Sequence, residues 1–576
     1  MLLFLEVLLT AMIVPLAFIA PRLGNRCFTP LTHRIHALAS RRQLAVLTIL
    51  VLALTCRLAV LPIEPVPAPG VHDEFGYLLA GGTFAHGRLT NPRHPMWVHF
   101  ESMTIIQRPT YCSAFYPAQG AFLALGQVLF GHPFWGVWLS TGLMCATICW
   151  ALQGWMPPIW AFLGGILAIL RLGTFTYWAD SYWGGSVAAI GGALALGALP
   201  RIKRHHRAKD ALLLKDALLM GLGFAILANS RPYEGLIYTL PVLAVLAATT
   251  FDIRTSSRQR LVRRAVVPLA LVMAATFAFM AYYFWRTTGN LFRPPYLVDV
   301  ATYMPEPQFF WEKMQRTLVY RNTTMAQFYN GFHVQHYLEA HSHPFLSVVT
   351  KLSSFWVFFI GPVLTLPFCV LVGILPYGMT MDDLGEKTRF LIVLCAVSFC
   401  GMLLPVSFEP HYAAPMICAT YALVFQALRR VRIWDRKNRK GVFVVRAIVV
   451  TCTVLFLVTG VALGIGIRRQ SLFPLDPTRT NRERARITEE LKQQGGKHLV
   501  VVHYRSDHDV QNEWVYNDAD IDHSKVVWAR DMDAANAELL QYFGGRKIWL
   551  LEPDYNPPRL MPFVQDSDRN QRPAAD

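Results

Sequence analysis

The sequence predicts a polytopic α-helical membrane protein of about twelve spans, followed by a small α/β domain. Of its 576 residues, 53% are hydrophobic, and the mean hydropathy is +0.33. The apolar residues form blocks of roughly 16 to 30 residues, which is long enough to cross a hydrocarbon layer of about 30 Å. After residue 467 charged residues become frequent, and strand-like segments alternate with a helix. A soluble protein with a single core is therefore excluded.

The predicted spans follow from these blocks. They cover residues 3–20, 43–62, 134–153, 157–172, 183–199, 212–229, 235–250, 265–285, 346–375, 388–406, 412–428 and 443–466. Residues 1–20 lack a basic start and a small-residue cleavage site, so we expect the first span to be retained.

Four basic segments predict the orientation of the spans in the membrane. They are residues 21–42, 201–215, 254–264 and 429–440, and all four fall on the same side of the predicted topology. Because positive loops remain in the cytoplasm, this side is expected to be cytoplasmic. The net charge of +17 is explained by these segments, and no nucleic-acid partner is expected.

The opposite side receives two long loops and the polar tail. We expect an extra N-terminal span with a basic cytoplasmic segment (1–42), a transmembrane domain (43–466) with external loops 63–133 and 286–345, and an external α/β domain (467–576). The tail strands are predicted at residues 497–504, 525–531 and 546–554, with a helix at 534–543. The ten cysteines form no CxxC pair, and they indicate neither a disulfide framework nor a zinc knuckle.

An acidic pair, Asp73 and Glu74, lies shortly after the second span, next to His72. An ionised carboxylate near a bilayer is costly unless it has a partner or a chemical task. An ordinary loop carrying two solvated acids is the alternative interpretation. Ionisable residues inside the spans are few and lie near the span ends, which is not the pattern of a proton pump or secondary transporter.

Polar chemistry at the outer surface fits a substrate whose reacting group lies there while its body stays in lipid. A sugar linked to a polyprenyl phosphate has this shape. Its transfer needs a base for an acceptor hydroxyl and cations for the departing phosphate. The carboxylate pair offers the base, and Arg108, Arg231 and Arg293 are the selected phosphate partners. For each single arginine, an interface anchor or a salt-bridge partner is the favoured interpretation.

Other external residues have two interpretations as well. Asp73, Glu74, His333 and His336 could hold a divalent metal, although their spacing matches no closed metal motif and solvated loop histidines are favoured. Trp178 and Trp183 could stack on a sugar or belong to an aromatic belt. His72, Tyr77, His411 and Tyr412 complete the candidate substrate-binding residues.

The order of several short motifs resembles a known family. The acidic pair Asp73–Glu74 is followed by Tyr116–Pro117 before a short helix, then by residues 288–296 (TGN to PPY), and then by residues 411–415 (HYAAP). This arrangement over about residues 43–430 resembles the integral-membrane GT-C glycosyltransferases, the group that contains protein O-mannosyltransferases and lipid A aminoarabinose transferases.

The resemblance implies an inverting sugar transfer from a polyprenyl phosphate donor. It makes Asp73 the general base and Glu74 a neighbour that orients the acceptor or holds a divalent metal. Asp180 matches an acid of the next external loop, but its flanking residues differ, and capping of the following span is the alternative. The implied location is the bacterial inner membrane, with the site facing outwards.

Two other functions remain open from the sequence. A transporter or flippase of lipid-linked sugars would need the same arginines but no base. A non-catalytic envelope assembly protein would use the tail domain to hold a partner. The sequence names neither the sugar nor the acceptor, which could be lipid, glycan or protein.

Overall fold

The computed structural model describes residues 2–205, 210–252, 255–314, 318–374, 385–435, 437–467 and 481–563. Four basic residues of the predicted basic segments, Arg207, Lys209, Arg254 and Arg436, lie outside the described residues, as does the end of the tail domain from residue 564.

Among the described residues, twelve α-helices precede or lead into the second long loop. They are α1 (Leu2–Ile19), α2 (Asn25–Ser40), α3 (Arg42–Val60), α4 (His72–Ala85), α5 (Pro117–Phe130), α6 (Phe134–Trp155), α7 (Pro158–Arg171), α8 (Ser186–His205), α9 (Asp210–Ala228), α10 (Pro232–Asp252), α11 (Thr255–Leu261) and α12 (Val267–Thr288).

The remaining helices build the second loop, the last spans and the tail. They are α13 (Pro295–Tyr303), α14 (Thr323–Ala326), α15 (Val334–Ser342), α16 (Pro344–Phe355), α17 (Gly361–Ile374), α18 (Gly385–Leu403), α19 (Ile417–Val431), α20 (Lys440–Gly464), α21 (Arg482–Gln493) and α22 (Asn536–Tyr542). Wider π-helical turns occur at Val262–Val266, Gln327–His333 and Trp356–Ile360, and a 3-10 helix covers Pro410–Met416.

Within the described ranges, nine helical segments are long and apolar enough to cross a membrane, and they coincide with nine of the twelve predicted spans. The other three predicted spans are also helical. Of these, α7 and α19 are short, with 14 and 15 residues, and α18 carries Glu386, Lys387 and Arg389 at its start. The prediction of a polytopic helical membrane protein is confirmed.

Close packing around α8 brings distant external segments together. A Cβ on Gly192 would lie 1.9 Å from the carbonyl oxygen of Pro415, and a Cβ on Gly191 would lie 2.9 Å from that of Gly223. No side chain fits at such distances, so these glycines let the 3-10 helix at 410–416 and helix α9 press against α8. The segments next to these contacts lie at the end of the bundle where α8 begins.

The tail is a four-stranded sheet of β3 (His498–Val502), β4 (Val526–Arg530), β5 (Lys547–Glu552) and β6 (Arg559–Pro562), in the order β4-β3-β5-β6. The first loop contributes a two-stranded ribbon, β1 (Ile105–Ile106) and β2 (Cys112–Ser113). Strand β3 is parallel to β4 and β5, which confirms the predicted strands, and the antiparallel edge strand β6 was not predicted.

The tail domain packs directly on the first external loop. Phe75 of α4 stacks on Tyr516 with ring centroids 4.0 Å apart, and His94 pairs with Asp522 at 3.2 Å. Phe75, Leu79 and Phe100 share one hydrophobic core with Leu499 and Val501 of β3. The helix that carries the acidic pair is thereby fixed from two sides, by the bundle and by the tail domain.

Candidate functional site

The acidic pair lies in the first turn of helix α4. Val71 has an extended backbone before the helix. Oε2 of Glu74 accepts hydrogen bonds from the backbone N–H groups of Gly70 (2.8 Å) and Val71 (3.0 Å). Its other oxygen, Oε1, accepts the N–H of Tyr182 at 2.9 Å. Both oxygens of this buried carboxylate are thus bonded, and Glu74 connects the start of α4 to the segment before α8.

Asp73 faces a different direction and keeps one oxygen available. The indole N–H of Trp183 donates to Oδ2 at 2.7 Å, and no residue in the described ranges hydrogen bonds to Oδ1. Burial raises the pKa of Asp73 to about 6, against the opposing effects of the Arg231 charge, the Trp183 hydrogen bond and the His333 charge. A half-buried carboxylate with one free oxygen is suited to accept a proton.

Arg231, just before α10, is the cation of this site. Its guanidinium lies 4.4 Å from the ring centre of Tyr412, and its charge acts on both Asp73 and Tyr77. Its guanidinium hydrogen bonds to no side chain in the described parts of the chain. Arg231 lines a small cavity whose lining includes Tyr77, Tyr116, Gln119, Trp183 and Ser230. Asp73 adjoins this lining through its hydrogen bond with Trp183.

His411 presents a buried ring nitrogen next to this group. Its backbone N–H donates to the Tyr177 hydroxyl at 3.1 Å, and its Nδ1 lies 3.0 Å from the same hydroxyl. Because this hydroxyl accepts from the backbone N–H, we assign its own proton to the contact with Nδ1. The proton of the neutral ring is then on Nε2. Burial and the Arg231 charge hold the pKa of His411 well below its ordinary value. Nε2 is buried without a hydrogen-bond partner in the described residues, and the ring lies 4.7 Å from that of Trp183.

Two further acids were missed by sequence reasoning. Burial and the nearby charge of Asp73 raise the pKa of Asp299 to about 7 and that of Glu409 to about 8. Oδ1 of Asp299 and Oε2 of Glu409 are buried without hydrogen-bond partners among the described residues. Asp299 follows the motif segment 288–296, and Glu409 precedes the motif segment 411–415. Their nearness to these motifs is visible in the sequence, but the direction of their side chains is not.

Asp180 forms a structural ion pair. Its Oδ1 accepts from Arg57 at 2.7 Å, and Arg57 is only 1% exposed. Arg57 also donates to the carbonyl oxygens of Ala179 (3.1 Å) and Glu64 (3.0 Å). The alternative that Asp180 caps the following span is wrong, because α8 begins at Ser186. The pair instead joins α3 to the segment that carries Trp183.

Two of the predicted substrate-binding residues point elsewhere. Trp178 is fully buried and packs on Phe358 and Phe359, so it cannot stack on a sugar, and that expectation is wrong. The Nδ1 atom of His72 lies 2.8 Å from the Tyr516 hydroxyl, which directs this ring to the tail domain. Trp183, Tyr77, His411 and Tyr412 remain with Asp73.

Of the three selected arginines, only Arg231 lines the cavity. Arg108 is exposed and lies 3.8 Å above the ring of Trp97, which Arg93 and Arg321 also approach. Arg293 is exposed in the turn after α12. The geometry therefore separates these two from the acidic pair.

The four predicted metal ligands do not converge. His333 Nδ1 pairs with Glu306 at 2.8 Å, while Glu74 has both oxygens bonded to backbone amides. The part of the chain that the structure describes contains no group of three His, Cys, Asp or Glu side chains arranged for a metal ion.

No family model matches the chain, and no curated protein matches it. Among solved structures, ArnT from Cupriavidus metallidurans bound to undecaprenyl phosphate is 13% identical with a TM-score of 0.49, covering 88% of this chain and 92% of that one. The oligosaccharyltransferase from Archaeoglobus fulgidus, tethered to an acceptor peptide, is 12% identical with a TM-score of 0.45, covering 79% and 61%. Both belong to the GT-C group that the motifs resemble. At these low identities and TM-scores, the two structures do not assign a catalytic or binding role to any residue of this chain.

Proposed function

We propose that the chain is a GT-C type glycosyltransferase that moves a sugar from a polyprenyl phosphate donor to an acceptor hydroxyl at the outer face of a membrane. The observation that carries this proposal is the proximity of Asp73 to Arg231. The Arg231 charge acts on Asp73, and Trp183, which donates to Asp73, lines the same small cavity as Arg231. Asp73 keeps Oδ1 free, and the Arg231 guanidinium has no hydrogen-bonded side chain in the described residues. One group can take a proton, and the other can bind a phosphate.

The reaction uses both groups at once. The acceptor O–H donates to Asp73 Oδ1, and its oxygen attacks the anomeric carbon of the sugar. The bond from that carbon to the phosphate oxygen breaks, and its electron pair leaves with the polyprenyl phosphate. The hydroxyl proton passes to Asp73, while Arg231 stabilises the negative charge of the leaving phosphate. Attack opposite the leaving group inverts the anomeric configuration.

The pKa of Asp73, about 6, suits this role. At neutral pH the carboxylate is mostly ionised, yet it binds a proton more strongly than an ordinary aspartate does. Trp183 fixes its second oxygen, so Oδ1 is the atom that faces the acceptor. Glu74 acts as a positioning residue, because its hydrogen bonds hold the start of α4 against Tyr182.

Neighbouring groups supply binding rather than proton transfer. The buried Nε2 of His411 is a donor that a sugar hydroxyl or phosphate oxygen can satisfy. Tyr77 and Trp183 line the cavity beside Arg231. The sugar and the acceptor are left open, and the basic segments support an orientation in which this site faces away from the cytoplasm of a bacterial cell.

Transfer in proteoliposomes tests the proposal. The full chain is given a panel of undecaprenyl phosphate monosaccharides and an envelope extract as acceptor, and release of undecaprenyl phosphate is measured. We expect release by the wild type and a loss of about 100-fold or more for Asp73→Asn, the usual size of a general-base contribution. Asp507→Asn, a change at an exposed tail carboxylate, is the matched control.

Two outcomes would overturn the assignment. Full release by correctly inserted Asp73→Asn would exclude Asp73 as the base. Movement of the lipid-linked sugars across the bilayer without any release of undecaprenyl phosphate, in wild type and variant alike, would favour the transporter.

A further inference from the structure

A second cavity lies at the opposite end of the helical bundle from Asp73. It has a volume of about 560 Å³ and is formed where α3, α7 and α18 begin and where α6, α8 and α19 end. Helix α8 starts just after Trp183 and reaches this cavity at Arg204. Its 20 residues span about 30 Å. The two cavities are therefore separated by about the thickness of a hydrocarbon layer.

The cavity lining is strongly cationic. The lining includes five basic residues and one acidic residue, which are Arg42, Arg204, Lys387, Arg429, Arg430 and Glu386. Glu386 already pairs with Lys203, outside the lining, at 2.7 Å. Among the described residues of the lining, no second acidic side chain accompanies Arg42, Arg204 and Arg429.

The helix ends do not supply the missing negative charge. A helix start carries about half a positive charge and a helix end about half a negative charge. Three helices begin at the cavity and three end there, so these contributions offset each other. The net field of the cavity is set by its side chains.

The arginines of the lining differ from Arg201, whose guanidinium is already bonded to backbone carbonyl oxygens. Arg201 donates to the carbonyl oxygens of Gly197 (2.5 Å) and Trp150 (2.6 Å). In the described part of the chain, Arg42 and Arg204 form no ion pair with an acidic side chain, and Arg429 bonds to the amide of Gln426 at 2.9 Å. Partial burial, and secondly the adjacent charge of Arg430, lower the pKa of Arg429. Arg42, Arg204 and Arg429 thus bring like charges to one cavity, which favours the binding of an anion.

We propose that this cavity binds a phosphate ester. Planar guanidinium groups bind phosphate oxygens in pairs, and Arg42, Arg204 and Arg429 approach the cavity from three different helices. Trp155 and Met156 add an apolar wall. The volume falls in the range of small-molecule sites, roughly 300 to 1,000 Å³. The ester could come from an anionic lipid headgroup of the adjacent leaflet or from a soluble phosphorylated compound, which share this chemistry.

Titrations with the full chain in nanodiscs separate the two sources. In the first arm, phosphatidylglycerol replaces phosphatidylcholine in steps. In the second arm, inorganic diphosphate is added to discs of phosphatidylcholine alone. The thermal midpoint is followed in both arms for the wild type, for Arg42→Gln/Arg204→Gln and for Arg429→Gln. The matched control is Arg34→Gln/Arg263→Gln, which removes two exposed arginines of the same face that do not line the cavity.

We expect a saturable rise of the midpoint in at least one arm. A charge-assisted hydrogen bond contributes about 1.5–3 kcal/mol, so each arginine lost should weaken binding at least tenfold. The double cavity variant should therefore lose about a hundredfold or more, and the control should bind as the wild type does. A response to phosphatidylglycerol alone assigns a lipid headgroup, and a response to diphosphate assigns a soluble ester.

Two results would overturn the proposal. One is the absence of a saturable shift in both arms for the wild type. The other is equal weakening in the cavity variants and the control, which would indicate general surface charge. Each variant is compared with its own unliganded midpoint, and Arg429→Gln tests the site if the double variant does not fold.

Discussion

The indole N–H of Trp183 donates to Oδ2 of Asp73 at 2.7 Å, although the two residues are 110 positions apart in the chain. This contact joins the segment before α8 to the first turn of α4. It occupies one carboxylate oxygen and stabilises the ionised form, and Trp183 itself lines the cavity that contains Arg231. The proposed base is therefore oriented by a residue that performs no chemistry itself.

Trp183→Phe should shift the pH dependence of transfer. In the wild type, activity should fall as the pH drops through about 6, because Asp73 must be ionised to accept a proton. The Trp183 hydrogen bond lowers the pKa of Asp73, so its removal should move this acidic limb to higher pH. Release of undecaprenyl phosphate measured from pH 5 to 8 tests this. An unchanged limb with reduced activity at every pH would show that Trp183 acts only through packing.

Asp73→Asn should stabilise the protein at neutral pH while abolishing transfer. The pKa of Asp73 is raised from 3.8 to about 6 in the folded state, so the folded state loses stability as the pH rises through this window. The loss amounts to roughly 3 kcal/mol, and an asparagine avoids it. Thermal midpoints at pH 4 and pH 8 measure the effect. The variant should exceed the wild type at pH 8, and the gap should narrow at pH 4, whereas equal gaps would contradict the burial of this carboxylate.

Arg231→Gln should weaken binding of the donor phosphate. Loss of a charge-assisted hydrogen bond costs about 1.5–3 kcal/mol, which corresponds to a rise in the Kd for undecaprenyl phosphate of at least tenfold. Arg559→Gln is the matched control, because Arg559 also lies over a tyrosine ring, at 3.6 Å from Tyr555, but belongs to the tail sheet. Titration of both variants in nanodiscs gives the comparison. Equal binding by Arg231→Gln and the wild type would remove Arg231 from the phosphate site.

Asp180→Ala should reduce the thermal stability of the protein more than its turnover. The change leaves Arg57, which is 1% exposed, without its carboxylate. An unpaired buried charge costs roughly 3 kcal/mol or more. The thermal midpoint should fall, and Arg57→Met/Asp180→Ala should recover part of it. Turnover per folded molecule should change less than for Asp73→Asn, and a comparable loss at unchanged midpoint would return Asp180 to the reacting centre.

Local patterns were sufficient for the architecture. Long apolar blocks predict spans because a helix must satisfy its backbone hydrogen bonds within the bilayer. Short apolar runs predicted β3, β4 and β5 of the tail domain, because each buried strand is apparent from its own residues. The antiparallel strand β6 has only four residues and little alternation, and it forms because β5 offers an open edge.

The candidate site was predicted only in part. Asp73 and Arg231 were selected by residue type and position, and in the structure the Arg231 charge acts on Asp73. Their neighbours were not predictable in the same way. Whether a carboxylate is free, like Asp73, or fully bonded, like Glu74, depends on the backbone amides that other segments bring to it.

The sequence alone therefore determined that the chain crosses a membrane many times, that an acidic pair follows the second span and that an α/β domain closes the chain. Only the tertiary structure decided that Asp180 pairs with Arg57, that Trp178 is buried and that Asp299 and Glu409 come near Asp73. The physical reason is distance along the chain. Hydropathy patterns depend on residues that are near neighbours in the chain. The burial and hydrogen bonding of a polar group depend instead on segments that meet only when the bundle packs.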